Sequence, residues 1–259
     1  MTIAGSDSGG GAGIQADLRT FAFHKVHGTS VLTCVTAQNT LGVTRVDALP
    51  PEAVAAQLEA VVGDISIGAA KTGMLLNRAI IQTVADQVQR WQMTNLVVDP
   101  VMVSRTGAQL IDDAAIATLR SALIPLAAVL TPNRYEAQIL AGMPVTTLDE
   151  MKEAAERIHQ LGSGAVLVKG GGMAGELRGV DVWFDGTRLE LLTTEPVNTN
   201  HTHGTGCTLS AAIAANLALG DDRWTATQRA KNYVTMALKY SLAIGKGQGP
   251  VGHFFPLLQ

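Results

Sequence analysis

The residues best suited to chemistry lie in one short stretch, His201-Thr202-His203-Gly204-Thr205-Gly206-Cys207, which leads into an alanine-rich helical pattern from about Thr208 to Leu219. A Gly-Thr-Gly turn opening a helix aims several unpaired backbone N–H groups and the positive end of the helix dipole at one spot. Such a spot suits a transferring phosphoryl group or another developing anion. Gly204, Thr205 and Gly206 would supply the amides, and Cys207 would bring a thiol to them. The same dipole should pull that thiol from about 8.5 towards neutrality, making it usable as a base or nucleophile. The plainer alternative is a small core residue at the start of an apolar helix. A metal site on His201, His203 and Cys207 is disfavoured, because no second Cys/His cluster completes a tetrahedral set.

A second glycine stretch, Ser8-Gly9-Gly10-Gly11-Ala12-Gly13, links a strand-like run to a helix. Its glycines let backbone approach a ligand closely. It has no P-loop lysine, and Gly9, Gly11 and Gly13 miss the spacing of a dinucleotide-binding fingerprint, so alone it is a weak signal.

These loops need a scaffold, and the chain provides strand-like runs alternating with helix-like periodic segments, the pattern of βα units around a mostly parallel sheet. Strands are expected at Met1 to Ala4, Val31 to Ala37, Ala69 to Thr72, Leu96 to Asp99, Val129 to Thr131 and Val166 to Lys169. Between them fall helical patterns near Glu52 to Val62, Arg78 to Trp91, Ala114 to Leu123 and Leu148 to Leu161, after a first helix carrying Leu18, Phe21 and Ala22 on one face. Val180 to Phe184 and Leu189 to Thr193 read as a hairpin across Asp185-Gly186, and a final helix runs from about Trp224 to Ile244. The first run begins at the initiator and reads as a clipped strand. Polar and glycine clusters end successive strands: Gly5-Ser6-Asp7, Gln38-Asn39-Thr40, Lys71-Thr72-Gly73, Asp99-Pro100, Thr131-Pro132-Asn133 and Lys169-Gly170-Gly171. In an open parallel sheet those ends share one edge, where ligands bind. One composite site, in one domain spanning 1–259, is expected.

Composition narrows the function classes. Of 259 residues, 47% are hydrophobic and the net charge is only −3, which excludes a mainly disordered chain. With 19 basic against 22 acidic residues and no Lys/Arg run, nothing marks a nucleic-acid backbone or an anionic membrane as partner. No apolar run approaches the ~20 residues of a membrane span, and the N-terminus lacks a signal-peptide pattern. Cys34 and Cys207 lie far apart, which points to a reducing compartment, the cytoplasm.

Taken in order, these motifs resemble the hydroxymethylpyrimidine/phosphomethylpyrimidine kinases of thiamine biosynthesis, in the ribokinase-like superfamily. The resemblance rests on Thr2 to Asp17, on Thr36-Ala37-Gln38-Asn39-Thr40, Lys71-Thr72-Gly73-Met74-Leu75, Asp99-Pro100-Val101-Met102, Thr131-Pro132-Asn133 with Glu136, Val168-Lys169-Gly170-Gly171 and Thr202 to Ala211, and extends to Gly249-Pro250-Val251 with His253-Phe254. It implies a three-layer α/β/α fold with helices on both faces of a central, mostly parallel sheet. It also implies ATP-dependent, Mg²⁺-assisted phosphorylation of an aminopyrimidine hydroxymethyl group, then of the monophosphate to the diphosphate.

By the same resemblance Cys207 takes the place of the sugar kinases' aspartate base, with Gly204, Thr205 and Gly206 facing the transferred phosphoryl. Asp99 and Glu136 would organise Mg²⁺, Lys169, Asn133 and Glu136 would face ATP, and Gly5, Asp17, Gln38, Met74 and Val101 would hold the pyrimidine. The plainer reading of Asp17 is a first-turn helix charge, and of Met74 a core residue. His203 and the segment from Met173 to Leu177 are candidates for a lid. A homodimer is the common state of such enzymes. The alternatives are a pyridoxal/pyridoxine kinase and a non-catalytic pyrimidine-binding protein. Against the first, Val103-Ser104-Arg105 lacks the thiol found after Asp-Pro-Val-Met in one pyridoxal kinase group.

Overall fold

A computed structural model of the chain describes residues 1–103, 110–173 and 175–258. The strands are β1 (Thr2–Asp7), β2 (Ser30–Asn39), β3 (Gly42–Ala48), β4 (Ala70–Thr72), β5 (Leu96–Val98), β6 (Val129–Leu130), β7 (Val166–Val168), β8 (Asp181–Phe184) and β9 (Leu189–Leu192). The helices are α1 (Gly13–Phe23), α2 (Pro51–Val62), α3 (Arg78–Arg90), α4 (Asp113–Thr118), α5 (Arg134–Ala141), α6 (Leu148–His159), α7 (Thr205–Ala218) and α8 (Arg223–Lys239). The strands form one sheet in the order β3-β2-β1-β4-β5-β6-β7-β8-β9. The pairs from β2 to β7 are parallel, and the outer β2/β3, β7/β8 and β8/β9 pairs are antiparallel.

Strand alternation builds the layers. Leu96, Val98, Leu130, Val166 and Val168 face a core shared with α2 to α6, while Val97, Val129 and Leu167 face a second core shared with α1, α7 and α8. Side chains of period two thus cover both faces, as a buried parallel sheet requires. This is the expected three-layer architecture. Helix α7 is buried from Thr208 through Leu217, and its alanines let α1, α8 and the sheet close around it.

Several boundaries differ from expectation for local reasons. Strand β1 continues through Gly5 and Ser6 to Asp7, because its register with β2 persists across a bulge between Ala4 and Ser6. The segment expected as one helix from Ala114 to Leu123 is α4 followed by a wider π turn and a 3-10 turn containing Pro125. The last helix stops at Lys239 rather than Ile244. Two elements had not been expected. Strand β3 is exposed along its whole length and so has no core pattern to betray it. Helix α5 is announced by a capping box: Asn133 accepts from the Glu136 N–H, and Glu136 accepts from the Asn133 N–H.

The chain turns back at β1: β2 lies on one side of it and β4 on the other, which makes the crevice at its C-terminal end a topological switch point. Gly13, at the start of α1, has φ +57°, and an added Cβ would stand 2.3 Å from the Gly5 carbonyl oxygen. The oxygen is backbone and the Cβ is fixed to the backbone, so neither can swing aside. Gly13→Ala should therefore cost about 2–4 kcal/mol, read as a fall in the denaturation midpoint, from left-handed strain plus overpacking.

Candidate active site

The clusters at the strand ends do converge, around a chain of buried charges. Lys71, with no exposed surface, places Nζ 3.1 and 3.2 Å from the two oxygens of an equally buried Asp17. Burial works against the Lys71 charge, but Asp17, Cys207 and Asp99 outweigh it and hold the ammonium above its usual range. Lys169 Nζ donates to Asp99 Oδ1 at 3.0 Å. The charge of Glu136, on the first turn of α5, bears on the same ammonium.

The start of α7 enters this group. Gly204, in left-handed conformation at φ +81°, is the helix N-cap, and a Cβ there would lie 1.9 Å from the Gly11 carbonyl oxygen. A Cβ on Gly206 would be 3.5 Å from Lys169 Nζ and 3.7 Å from Asp99 Oδ2, so the first-turn amides and the lysine face one volume. Thr208 Oγ1 donates to the Gly204 carbonyl and meets His253 Nε2 at 2.9 Å, which ties the first turn to the C-terminal segment.

Cys207 is half-buried in this first turn, and its thiol value is not lowered as the dipole argument predicts. Burial pushes it up to about 11, with Asp17 and Asp99 adding to the rise and Lys71 and the Gly13 N–H opposing it. The desolvation of a thiolate outweighs the favourable field of one helix end. At neutral pH Cys207 rests as a thiol.

Around the pyrimidine expectation, Gly5 and Met74 meet: a Cβ on Gly5 would come within 3.2 Å of Met74 Cε and 2.6 Å of the buried Cys34 thiol. Thr33 Oγ1 donates to the Met74 carbonyl at 2.6 Å and fixes that residue. Val101 sits in the Asp99-Pro100 turn at φ +37°, a strained value for a β-branched residue, while the next N–H, of Met102, donates to Glu136 Oε1. Gln38, next to last in β2, lies beside His203.

Asp17 is the exception. Both its oxygens are committed inside the core, to Lys71 and to Thr2 Oγ1 at 2.6 Å, so it does not reach a ligand and acts by holding Lys71. Asn133 and Glu136 reach the site edge beside Lys169, but as a helix cap: Asn133 Oδ1 accepts two N–H groups and each Glu136 oxygen accepts one. The Ser8 to Gly13 loop is not an open anion cradle either. Asp7, at the end of β1, already accepts from the Gly9, Gly11 and Ala12 amides.

Sequence reasoning placed Asp7 and Lys71 in the strand-end clusters without giving either a role, and it missed Lys231. Lys231 on α8 donates to Asp181 Oδ2 and the Gly179 carbonyl at 2.7 Å, and Asp181 Oδ1 accepts from the Gly170 N–H, bracing the loop after Lys169. A charged residue inside an apolar strand was the available signal for Lys71. Ser104, Arg105 and Ala174, the last inside the expected lid segment, lie outside the described residues.

The family model for phosphomethylpyrimidine kinase matches residues 7–252 of this chain. The chain belongs to that family. It is 63% identical over 257 residues to a hydroxymethylpyrimidine/phosphomethylpyrimidine kinase of Synechococcus elongatus, covering 99% of this chain and 97% of that one. Among solved structures, a phosphomethylpyrimidine kinase of Clostridium difficile superposes with TM-score 0.83 at 42% identity, covering 92% and 98% of the two chains. An ADP complex of Bacillus subtilis pyridoxal kinase superposes with TM-score 0.93 at 40% identity, covering 100% and 98%.

In this family member the buried pair makes the first demand on stability. Asp17→Ala leaves an unpaired lysine cation in the core and should cost about 3–5 kcal/mol in chemical denaturation, while Asp17→Leu with Lys71→Met should recover most of that loss.

Proposed function

We propose that this site transfers the γ-phosphoryl group of ATP to the hydroxymethyl oxygen of an aminopyrimidine, and in a second round to the phosphate of the resulting monophosphate, for thiamine biosynthesis. The observation that carries the reading is the convergence of the Gly204 to Cys207 helix entry with Lys169 and Asp99. The amides of Gly206 and Cys207 would stabilise the charge on the equatorial oxygens of the transferring group, whereas the Thr205 N–H, expected to join them, donates to the Thr202 carbonyl at 3.3 Å. Lys169 would hold the ATP phosphates, with Asn133 beside it. Gly5, Met74 and Val101 would form the apolar wall against the ring, and Gln38 would bind the ring edge.

Mg²⁺ fits the carboxylates present. Among the described residues no group of three His, Cys, Asp or Glu forms a closed cage, which suits a cation that keeps waters and phosphate oxygens as ligands. Asp99 would hold it, while burial pushes the Glu136 carboxyl up to about 7, so that residue, its oxygens engaged by backbone, would lend only part of a charge at neutral pH. When bound, the ion neutralises phosphate charge.

The acceptor proton separates the two rounds. A primary alcohol must give up its proton, and the Cys207 thiolate would take it as the O–P bond forms and the γ-phosphoryl leaves ADP. The acceptor of the second round is a phosphate oxygen whose second pKa lies near ~6, so at neutral pH it needs no base. ADP release that ignored both hydroxymethylpyrimidine and its monophosphate would sink the assignment.

The high resting value of the thiol gives the pH dependence its sign. Thiolate is scarce at pH 7 and rises with pH towards about 11, so kcat for hydroxymethylpyrimidine should climb from pH 7 to 9. Cys207→Ala should abolish that climb and lower kcat for the alcohol by roughly 10²–10⁴-fold, the worth of a general base, while sparing the monophosphate reaction far more. Steady-state rates with each acceptor check both points. The superposition on pyridoxal kinase makes pyridoxal the second acceptor to assay.

The reading includes a homodimer and the cytoplasm. Strand β3 leaves its outer edge unpaired and exposes Val43 and Val46, a surface that a second copy would cover. Val43→Lys should then shift the sedimentation coefficient to that of a monomer. No helix among the described residues is long and apolar enough to cross a membrane. Two free cysteines suit a reducing compartment.

A further inference from the structure

His203 sits where three parts of the chain meet and has no part in the chemistry above. Its backbone is pinned to the C-terminal segment: its N–H donates to the Gly249 carbonyl and its carbonyl accepts from the Val251 N–H, both at 3.2 Å. Its ring lies against Gly11, where a Cβ would stand 2.3 Å from Cδ2. Nε2 is 2.9 Å from Asp7 Oδ2 and 3.3 Å from the side-chain amide nitrogen of Gln38.

The hydrogens at this junction are ordered by the Asp7 carboxylate. Burial opposes the charge on Asp7, but hydrogen bonds from His203, Ala12 and Gly9 outweigh it and hold the carboxyl below its usual range. An ionised carboxylate only accepts, so His203 Nε2 carries a hydrogen and donates it to Asp7. With the Gln38 nitrogen towards the ring, hydrogens would face hydrogens. Turning the amide by half a turn, a change that leaves its shape almost unaltered, puts Oε1 there, an oxygen that shares the one Nε2 hydrogen with Asp7.

The other end of the amide agrees. Thr36 Oγ1 lies 2.9 Å from the Ser6 carbonyl and 3.1 Å from the far atom of the Gln38 amide, and its hydroxyl can donate to either or accept. With Oε1 held towards His203, Thr36 keeps its proton on the Ser6 carbonyl and accepts from the amide nitrogen. The amide is then fixed at both ends, with one N–H and one oxygen lone pair left in a set order.

We infer that His203, locked by Asp7, is a positioning residue that dictates which end of the Gln38 amide meets the substrate, and so makes the site select a 4-amino over a 4-oxo pyrimidine. The inference rests on the aminopyrimidine reading above. A 4-aminopyrimidine presents an exocyclic donor next to a ring-nitrogen acceptor, and its 4-oxo analogue in lactam form presents the reverse. An amide free to turn would read either, whereas one held in place reads one.

The test is kcat/KM for hydroxymethylpyrimidine and its 4-oxo analogue in the wild-type protein and in His203→Ala, His203→Gln, Gln38→Ala and the His203→Ala/Gln38→Ala double variant. His203→Ala should raise KM for the aminopyrimidine about tenfold, the worth of one hydrogen bond, and shrink the amino-to-oxo preference by a similar factor, with KM for ATP unchanged. His203→Gln, whose amide N–H extends to the Nε2 position, should restore the preference. In the Gln38→Ala background His203→Ala should add nothing, because its effect passes through Gln38.

An unchanged preference in His203→Ala, or a full additional loss in the double variant, overturns the inference while leaving the substrate reading standing. A wild-type protein that turns over neither pyrimidine overturns both. Where His203→Ala does not fold, His203→Asn, polar but too short to reach Gln38, gives the same comparison.

Discussion

Two lysine ammonium groups, that of Lys71 buried within β4 and that of Lys169 largely enclosed after β7, set the terms for everything near them. An unpaired cation there would be prohibitively costly, so each is matched by a carboxylate from a different element: Asp17 of α1 for Lys71 of β4, and Asp99 after β5 for Lys169 after β7. The pairs bind four elements together, and they put positive charge at the crevice where the Gly204 to Cys207 turn enters. Cys207 lies within their field. Its thiol is shaped by two opposing influences, burial and the neighbouring carboxylates against Lys71, and burial prevails.

Helix α7 needs this frame and the glycines around it. Its N-terminus can approach the β1 loop only because Gly204 and Gly11 lack side chains at the contact, and its body can fill the layer only because it is largely alanine. The Asp7 carboxylate closes the neighbouring loop from within. Two glycine-rich loops that look alike in sequence thus end with opposite roles: one amide set is consumed by an internal anion, and the other, at the start of α7, faces Lys169 and Asp99.

Much of this was legible in the sequence, and the rest was hidden for identifiable reasons. The alternating strands and helices, the ligand edge of the sheet and the Gly204 to Cys207 entry follow from periodicity and helix-end chemistry, both local properties. Asp17 was misread because its partner, Lys71, is 54 positions away, and nothing local distinguishes a buried pair from a surface charge on a first turn. The thiol was misjudged because burial is a property of the packed whole. Asn133 and Glu136 were read for chemistry alone, although their spacing is also a helix-capping signature. Strand β3 escaped because a strand exposed on every residue carries no hydrophobic rhythm.

The position of α7 in the chain has a consequence for synthesis. The helix that covers Val97, Val129 and Leu167 is made after all the strands it shields. As the chain leaves the ribosome, β1 to β9 can assemble against α2 to α6 while the other face of the sheet, covered only by α1, stays largely bare until residues 205–218 emerge. Nascent chains therefore pass through a stage with one completed layer and one adhesive surface, the kind of species that chaperones engage. The last fifth of the sequence converts that half-built sheet into a sealed one, and in the same movement delivers Cys207 to the ends of the strands.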